Sequence, residues 1–230
     1  MKRSRALALL AGAVFSLNAM AWTVSFSGTI DQGFDNSGVF GVAGRDLRGL
    51  SFTQTIEIAT DPALWSVSNG GPVFTDISGH GPAFVDTVTV DGQTVRFEVE
   101  ATGYGRQFLF DEFSTQHTGA DYLYTDQRGL AQGDTLRAFQ YAYSYLQAFM
   151  PSLDFDQGLD LPASGLTTWS EFVITGQRHA NFYGNASSIR VNGGPGQEVP
   201  EPTPLALAGF GLLLLGGHAR RRGRGVQQGA

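Results

Sequence analysis

Period-two alternation constrains this chain more than any other feature. In Trp22-Thr-Val-Ser-Phe-Ser-Gly-Thr-Ile30 the apolar residues Trp22, Val24, Phe26 and Ile30 all fall in one phase, and Leu50-Ser-Phe-Thr-Gln-Thr-Ile-Glu-Ile58 alternates in the same way. Such a pattern puts the apolar side chains on one face of an extended strand, whereas a helix would scatter them around its circumference. Asp91-Gly92 separates a strand expected over Pro82–Asp91 from a returning strand over Thr94–Ala101, with Val95, Phe97 and Val99 on one face. Asp-Gly suits a two-residue hairpin turn, whose central residues both need positive φ. Further strands are expected at Gln107–Ser114, Ala120–Thr125, Thr167–Thr175 and Ser187–Val191, and a glycine-rich loop at Asp31–Gly44. Asp134–Met150 reads two ways. Leu136, Phe139, Tyr143, Leu146 and Met150 have helical spacing, while Tyr141, Tyr143 and Tyr145 alternate. The strand reading is preferred, and Pro151 ends the segment either way. Together with 31 glycines, this predicts one all-β domain over 22–191, an antiparallel β-sandwich or jelly-roll-like fold.

The two ends read as addresses. Lys2, Arg3 and Arg5 precede an apolar segment, Ala6–Leu17, and the small residues Ala19 and Ala21 flank Met20. That order is a secretory signal peptide over 1–21, with the mature chain expected to start at Trp22. At the other end a flexible linker over 192–198 leads to Val199-Pro200-Glu201-Pro202, an apolar run of thirteen residues (Leu205–Gly217), and Arg220, Arg221, Arg222 and Arg224. A permanent helical span needs about 20 apolar residues, so the run suits a temporary anchor. The arginines would hold its far end in the cytoplasm. The prolines keep the motif extended, as a processing enzyme requires.

This combination resembles the PEP-CTERM sorting signal of Gram-negative bacteria. The resemblance implies cleavage near Pro200–Pro202 by an exosortase, a membrane-embedded cysteine enzyme. It further implies transient inner-membrane anchoring, delivery to the cell surface or the exterior, and association with exopolysaccharide and biofilm. Ser-Phe-Ser-Gly-Thr-Ile30, Asn36-Ser-Gly-Val-Phe-Gly41 and Gly44-Arg-Asp-Leu-Arg-Gly-Leu-Ser-Phe-Thr53 are also similar to the opening of many PEP-CTERM surface proteins.

Charge narrows the partners. Residues 22–198 hold twenty carboxylates and eight arginines and no lysine, a net charge of −12. So acidic a domain argues against nucleic acid and anionic lipid. With no cysteine there is no disulfide, thiol nucleophile or thiolate metal site.

The search for chemistry leaves a few candidates. Asp154, Asp156 and Asp160 alternate near Gly158 and could offer oxygens to calcium. The segment lacks the EF-hand residues, since its sixth position is Leu159 and its twelfth Gly165. His80, His117 and His179 show no metal-ligand spacing. Asp111 or Glu112 with Glu98, Glu100 or Glu171 could form the carboxylate pair of a glycoside hydrolase. No nucleophile elbow or P-loop is present. Five of the seven tyrosines (Tyr122, Tyr124, Tyr141, Tyr143 and Tyr145) lie close together. They suit either sugar stacking or ordinary sandwich packing. The expectation is a non-enzymatic surface or matrix protein. The alternative is a secreted carbohydrate-active enzyme carrying the same address.

Overall fold

The computed structural model describes residues 21–59, 61–113, 118–155 and 157–192. Ala19, the motif Val199–Pro202, the arginines at 220–222 and 224, His117 and Asp156 therefore lie outside the described residues, as does the side chain of Ala21. The chain divides into two compact units, Met1–Gly194 and Pro195–Ala230, and the description below concerns the first.

Thirteen strands form it: β1 (Ala21–Asp35), β2 (Arg45–Asp46), β3 (Ser51–Ala59), β4 (Trp65–Asn69), β5 (Phe74–His80), β6 (Phe84–Val90), β7 (Gln93–Glu98), β8 (Tyr104–Phe113), β9 (Thr118–Ala131), β10 (Asp134–Ser144), β11 (Leu159–Pro162), β12 (Thr167–Thr175) and β13 (Ala180–Asn192). The expected all-β, antiparallel, sandwich-like domain is what the structure shows. It is built from one continuous curled sheet, a half-barrel, in the order β4-β5-β8-β9-β10-β12-β13-β1-β3-β6-β7, with β11 on β13 and β2 on β1.

The alternation explains the curl. Trp22, Val24, Phe26 and Ile30 are all buried, as are Phe52, Ile56 and Ile58. Trp22, Val24, Phe26, Ile56 and Ile58 meet side chains from the other half of the sheet, including Ile77 on β5, Leu109 on β8 and Leu123 on β9. A second apolar cluster collects Phe40, Phe52, Val88, Phe97, Phe172 and Phe182. The edges are β4 and β7. On β7, Arg96 pairs with Glu57 at 2.8 Å and with Glu98 at 3.2 Å. Charge of this kind discourages further strand pairing.

Several elements run longer than the sequence suggests. β1 continues through the first five residues of the expected loop, with register shifts at Ser27/Gly28 and Ile30/Gln32 that let it bend with the curl. β13 begins at Ala180 rather than Ser187, because its inward positions are Ala180, Phe182, Gly184 and Ala186. Small residues blur the alternation there. Gly184 is required by close approach, since a Cβ would stand 2.5 Å from the Thr29 carbonyl oxygen. The hairpin β4–β5 was not expected. Ser66-Val-Ser-Asn69 is an exposed edge strand and carries no buried stripe to reveal it.

Candidate functional site: an aromatic sheet face

β8, β9 and β10 each send alternate side chains inwards. Gln107, Leu109, Leu123, Thr125, Ala138, Gln140 and Ala142 are buried. The other phase is aromatic. Antiparallel register aligns it into rows across the strands: Phe74, Phe110, Tyr122 and Tyr143 in one, and Phe108, Tyr124, Tyr141 and Trp169 in the next. Ring centroids lie 5.3 Å apart for Phe108–Tyr124, 5.8 Å for Tyr141–Tyr143 and 5.1 Å for Tyr143–Tyr145. Trp169 and Tyr183 extend the patch at 5.7 Å. Each cross-strand aromatic pair contributes about 0.2–1 kcal/mol to the sheet. That packing leaves the ring faces half-exposed rather than buried.

A groove of about 540 Å³ opens on this face, lined by Phe108, Phe110, Tyr122, Tyr141, Tyr143 and Tyr145, with Ala120, Asp121 and Ser144 at its end. Its flanking charges are already paired. Arg106 lies over the rings of Phe108 and Tyr124 at 5.2 and 5.3 Å. Two donations of 2.7 Å to Asp76 hold it there. Arg137 lies over Phe139 and pairs with Glu171 at 2.7 Å. Burial pushes the Tyr124 hydroxyl up to about 12. It raises Tyr122 and Tyr141 as well, with neighbouring tyrosines adding to the effect. At neutral pH these hydroxyls are therefore protonated and can both donate and accept.

Asp121 is the carboxylate at the groove. It is 1% exposed, and its Oδ2 accepts from the amides of Phe149 and, at 2.5 Å, Met150. This ties the segment after β10, which carries Tyr145, to the end of the sheet. Burial pushes the Asp121 carboxyl up, the two amides oppose that, and the charge of Asp111 adds to it. Asp111 stands directly opposite Asp121 in the β8–β9 register. The carboxylate pairs considered from sequence do not gather here. Glu98 pairs with Arg96 on the edge strand, Glu171 pairs with Arg137, and Glu100 lies just beyond β7. The side chain of Glu112 is not described.

The acidic segment after Pro151 is dispersed. Asp154 accepts from the Ser152 hydroxyl at 3.2 Å, and Asp160 takes two donations from Arg190 at 3.0 and 2.6 Å. Among the described residues no three acidic, histidine or cysteine side chains come together to hold a metal ion. His80 lies 3.0 Å from the Gly103 carbonyl oxygen, and the His179 amide donates to Ser37.

Sequence reasoning found the tyrosines but missed Phe74, Phe108, Phe110, Phe139 and Trp169. For Phe108, Phe110 and Phe139 the signal was present as alternation within 104–113 and 134–144, but alternation does not say which phase faces water. No family model, no curated protein and no solved structure matches this chain.

Proposed function

We propose that this is a secreted surface or matrix protein whose aromatic face binds exopolysaccharide. The observation that carries the reading is the two-row lattice of half-exposed Phe and Tyr rings beside a largely aromatic groove, with the carboxyl of Asp121 at its end. Pyranose rings present C–H faces that stack on aromatic rings, while tyrosine hydroxyls bond to sugar hydroxyls. With Arg106 and Arg137 already paired and the domain strongly acidic, a neutral glycan suits the face better than an anionic one. The tail supports the same setting. In this reading Lys2–Ala21 directs export, Val199–Pro202 is cut by an exosortase, and Arg220–Arg224 halts transfer during a transient stay in the inner membrane.

Affinity electrophoresis through gels containing the host's neutral exopolysaccharide tests the binding. Tyr122→Ala and Tyr141→Ala should each weaken it about tenfold, equivalent to roughly 1.4 kcal/mol, with the circular dichroism spectrum unchanged. Retention of the alanine variants at wild-type strength would rule the face out. Intact mass of extracellular protein tests the address, with termini expected at Trp22 and within Val199–Pro202.

The second reading, a glycan-cleaving enzyme, would place its carboxylates at Asp111 and Asp121, which are opposed in register but share the inward phase of Leu109 and Leu123, so a glycan would have to reach them at the end of the sheet. Release of reducing ends from the bound polysaccharide, abolished in Asp121→Asn, would favour it over simple binding.

A further inference from the structure

The inward side chains change character at one level of the sheet. On β3, Gln54 separates Phe52 from Ile56. On β6, Asp86 separates Phe84 from Val88. On β9, Thr125 and Gln127 lie between Leu123 and Ala131, and on β10 Gln140 lies between Ala138 and Ala142. Gln107 and Ser170 hold the same level on β8 and β12, so that Gln107, Thr125, Gln140 and Ser170 form one continuous row by register. All seven side chains are at 0% exposure. A polar belt thus crosses the interior between the two apolar clusters.

Three bonds carry the belt across the curl. The Trp22 indole donates to Gln107 Oε1 at 2.7 Å, Gln140 Nε2 to the Val24 carbonyl at 3.1 Å, and Gln127 Nε2 to the Phe84 carbonyl at 2.6 Å. They leave much unsatisfied. Both amide atoms of Gln54, both carboxyl oxygens of Asp86, Gln107 Nε2, Gln127 Oε1, Gln140 Oε1 and the hydroxyls of Thr125 and Ser170 have no hydrogen-bond partner among the described residues. Buried polar groups persist in folded proteins only when something bonds to them. These atoms include donors and acceptors. A cation would leave the amide nitrogens unmet, and an anion would face Asp86. Water satisfies both kinds.

We propose that a row of bound water molecules crosses the interior at this level, joining Asp86 and Gln54 to the glutamines and hydroxyls of β8, β9, β10 and β12. Asp86 enters it as a neutral donor. Burial pushes its carboxyl well up, and the nearby Gln54 amide opposes this to a lesser degree. Among the described residues no neighbouring charge contributes to that shift. Glu57, Arg96 and Glu98 pair with one another on exposed surface. Arg106 turns outwards to Asp76.

The sign of the pH effect follows. Between the ordinary carboxylate range and the raised folded value, the unfolded chain has lost a proton that the folded one keeps. Stability therefore falls as pH rises through that window, and Asp86→Asn removes the fall. Oxygen-17 relaxation dispersion of the purified protein should reveal several waters held longer than molecular tumbling, retained in Asp86→Asn and lost in Gln54→Leu/Asp86→Leu. Asp86→Asn should melt several degrees above wild type at pH 8, with the gap closing by pH 4. Absence of long-lived water in the wild type would overturn the proposal. So would an Asp86→Asn variant that melts below wild type at pH 8, or a wild type destabilised by a chelator, since either would point to a bound cation. The Asn variant decides the matter even if the double leucine variant fails to fold.

Discussion

Asp35 shows how one side chain can organise a loop. Fully buried at the end of β1, its carboxylate accepts from the amides of Gly38, Val39 and Phe40 at 2.8, 2.9 and 2.7 Å. The turn so fixed sends Phe40 against Phe172 at 5.6 Å and Phe182 at 6.3 Å. Charged hydrogen bonds of this kind contribute about 1.5–3 kcal/mol. Asp35→Ala should therefore lose about 3 kcal/mol in urea unfolding, and Asp35→Asn distinctly less, since its carbonyl oxygen still accepts. Equal losses would assign the effect to packing alone. At this scale the sequence was only partly legible. Gln54 stands in phase with Phe52 and Ile56 in an otherwise clean stripe, a visible irregularity, but its meaning needs Asp86 and Gln140 from distant strands. The pairing of Asp111 with Asp121 was likewise hidden, because register between β8 and β9 sets it.

At the scale of elements, alternation read correctly wherever both phases differ in polarity. Asp91 and Gly92 do form the expected turn, at φ 50° and 81°. The ambiguous segment is a strand through Ser144, because Leu136, Ala138, Gln140 and Ala142 all turn inwards and the aromatics do not. It ends there because the Ser144 hydroxyl accepts the amides of Leu146 and Gln147, both at 3.1 Å. The turn from β9 to β10 was missed. Gln132 and Gly133 adopt the same left-handed geometry, φ 55° and 84°, but glutamine is not a residue that announces it. Asparagine tolerates that conformation better. Gln132→Asn should raise stability by up to about 1 kcal/mol, the scale of the penalty for a left-handed residue, as a shift in the urea midpoint at constant slope. A destabilised variant would mean that the Gln132 side chain has a role of its own. This hairpin carries most of the tyrosine lattice, so its rigidity bears on the aromatic face.

At the scale of the whole molecule, the acidic domain and the largely aromatic groove predict how the proposed binding responds to solution conditions. If ring stacking dominates, affinity for a neutral glycan should change by less than about twofold from low salt to about 0.5 M, since screening acts on charges. A steep loss would move the contact to Arg106 or Arg137. The sequence showed that the domain is β-built but not that a single sheet folds back on itself, because strand order is a property of long-range pairing. That order has a temporal consequence. β1, the first strand, lies inside the sheet, paired with β13, the last, from Thr23↔Asn192 to Asp35↔Ala180. A chain emerging from its N-terminal end cannot complete the sheet until residue 192 has appeared, and distant pairing of this kind is intrinsically slow. The nascent chain thus stays unfinished, its central pairing unmade, until its last strand is available.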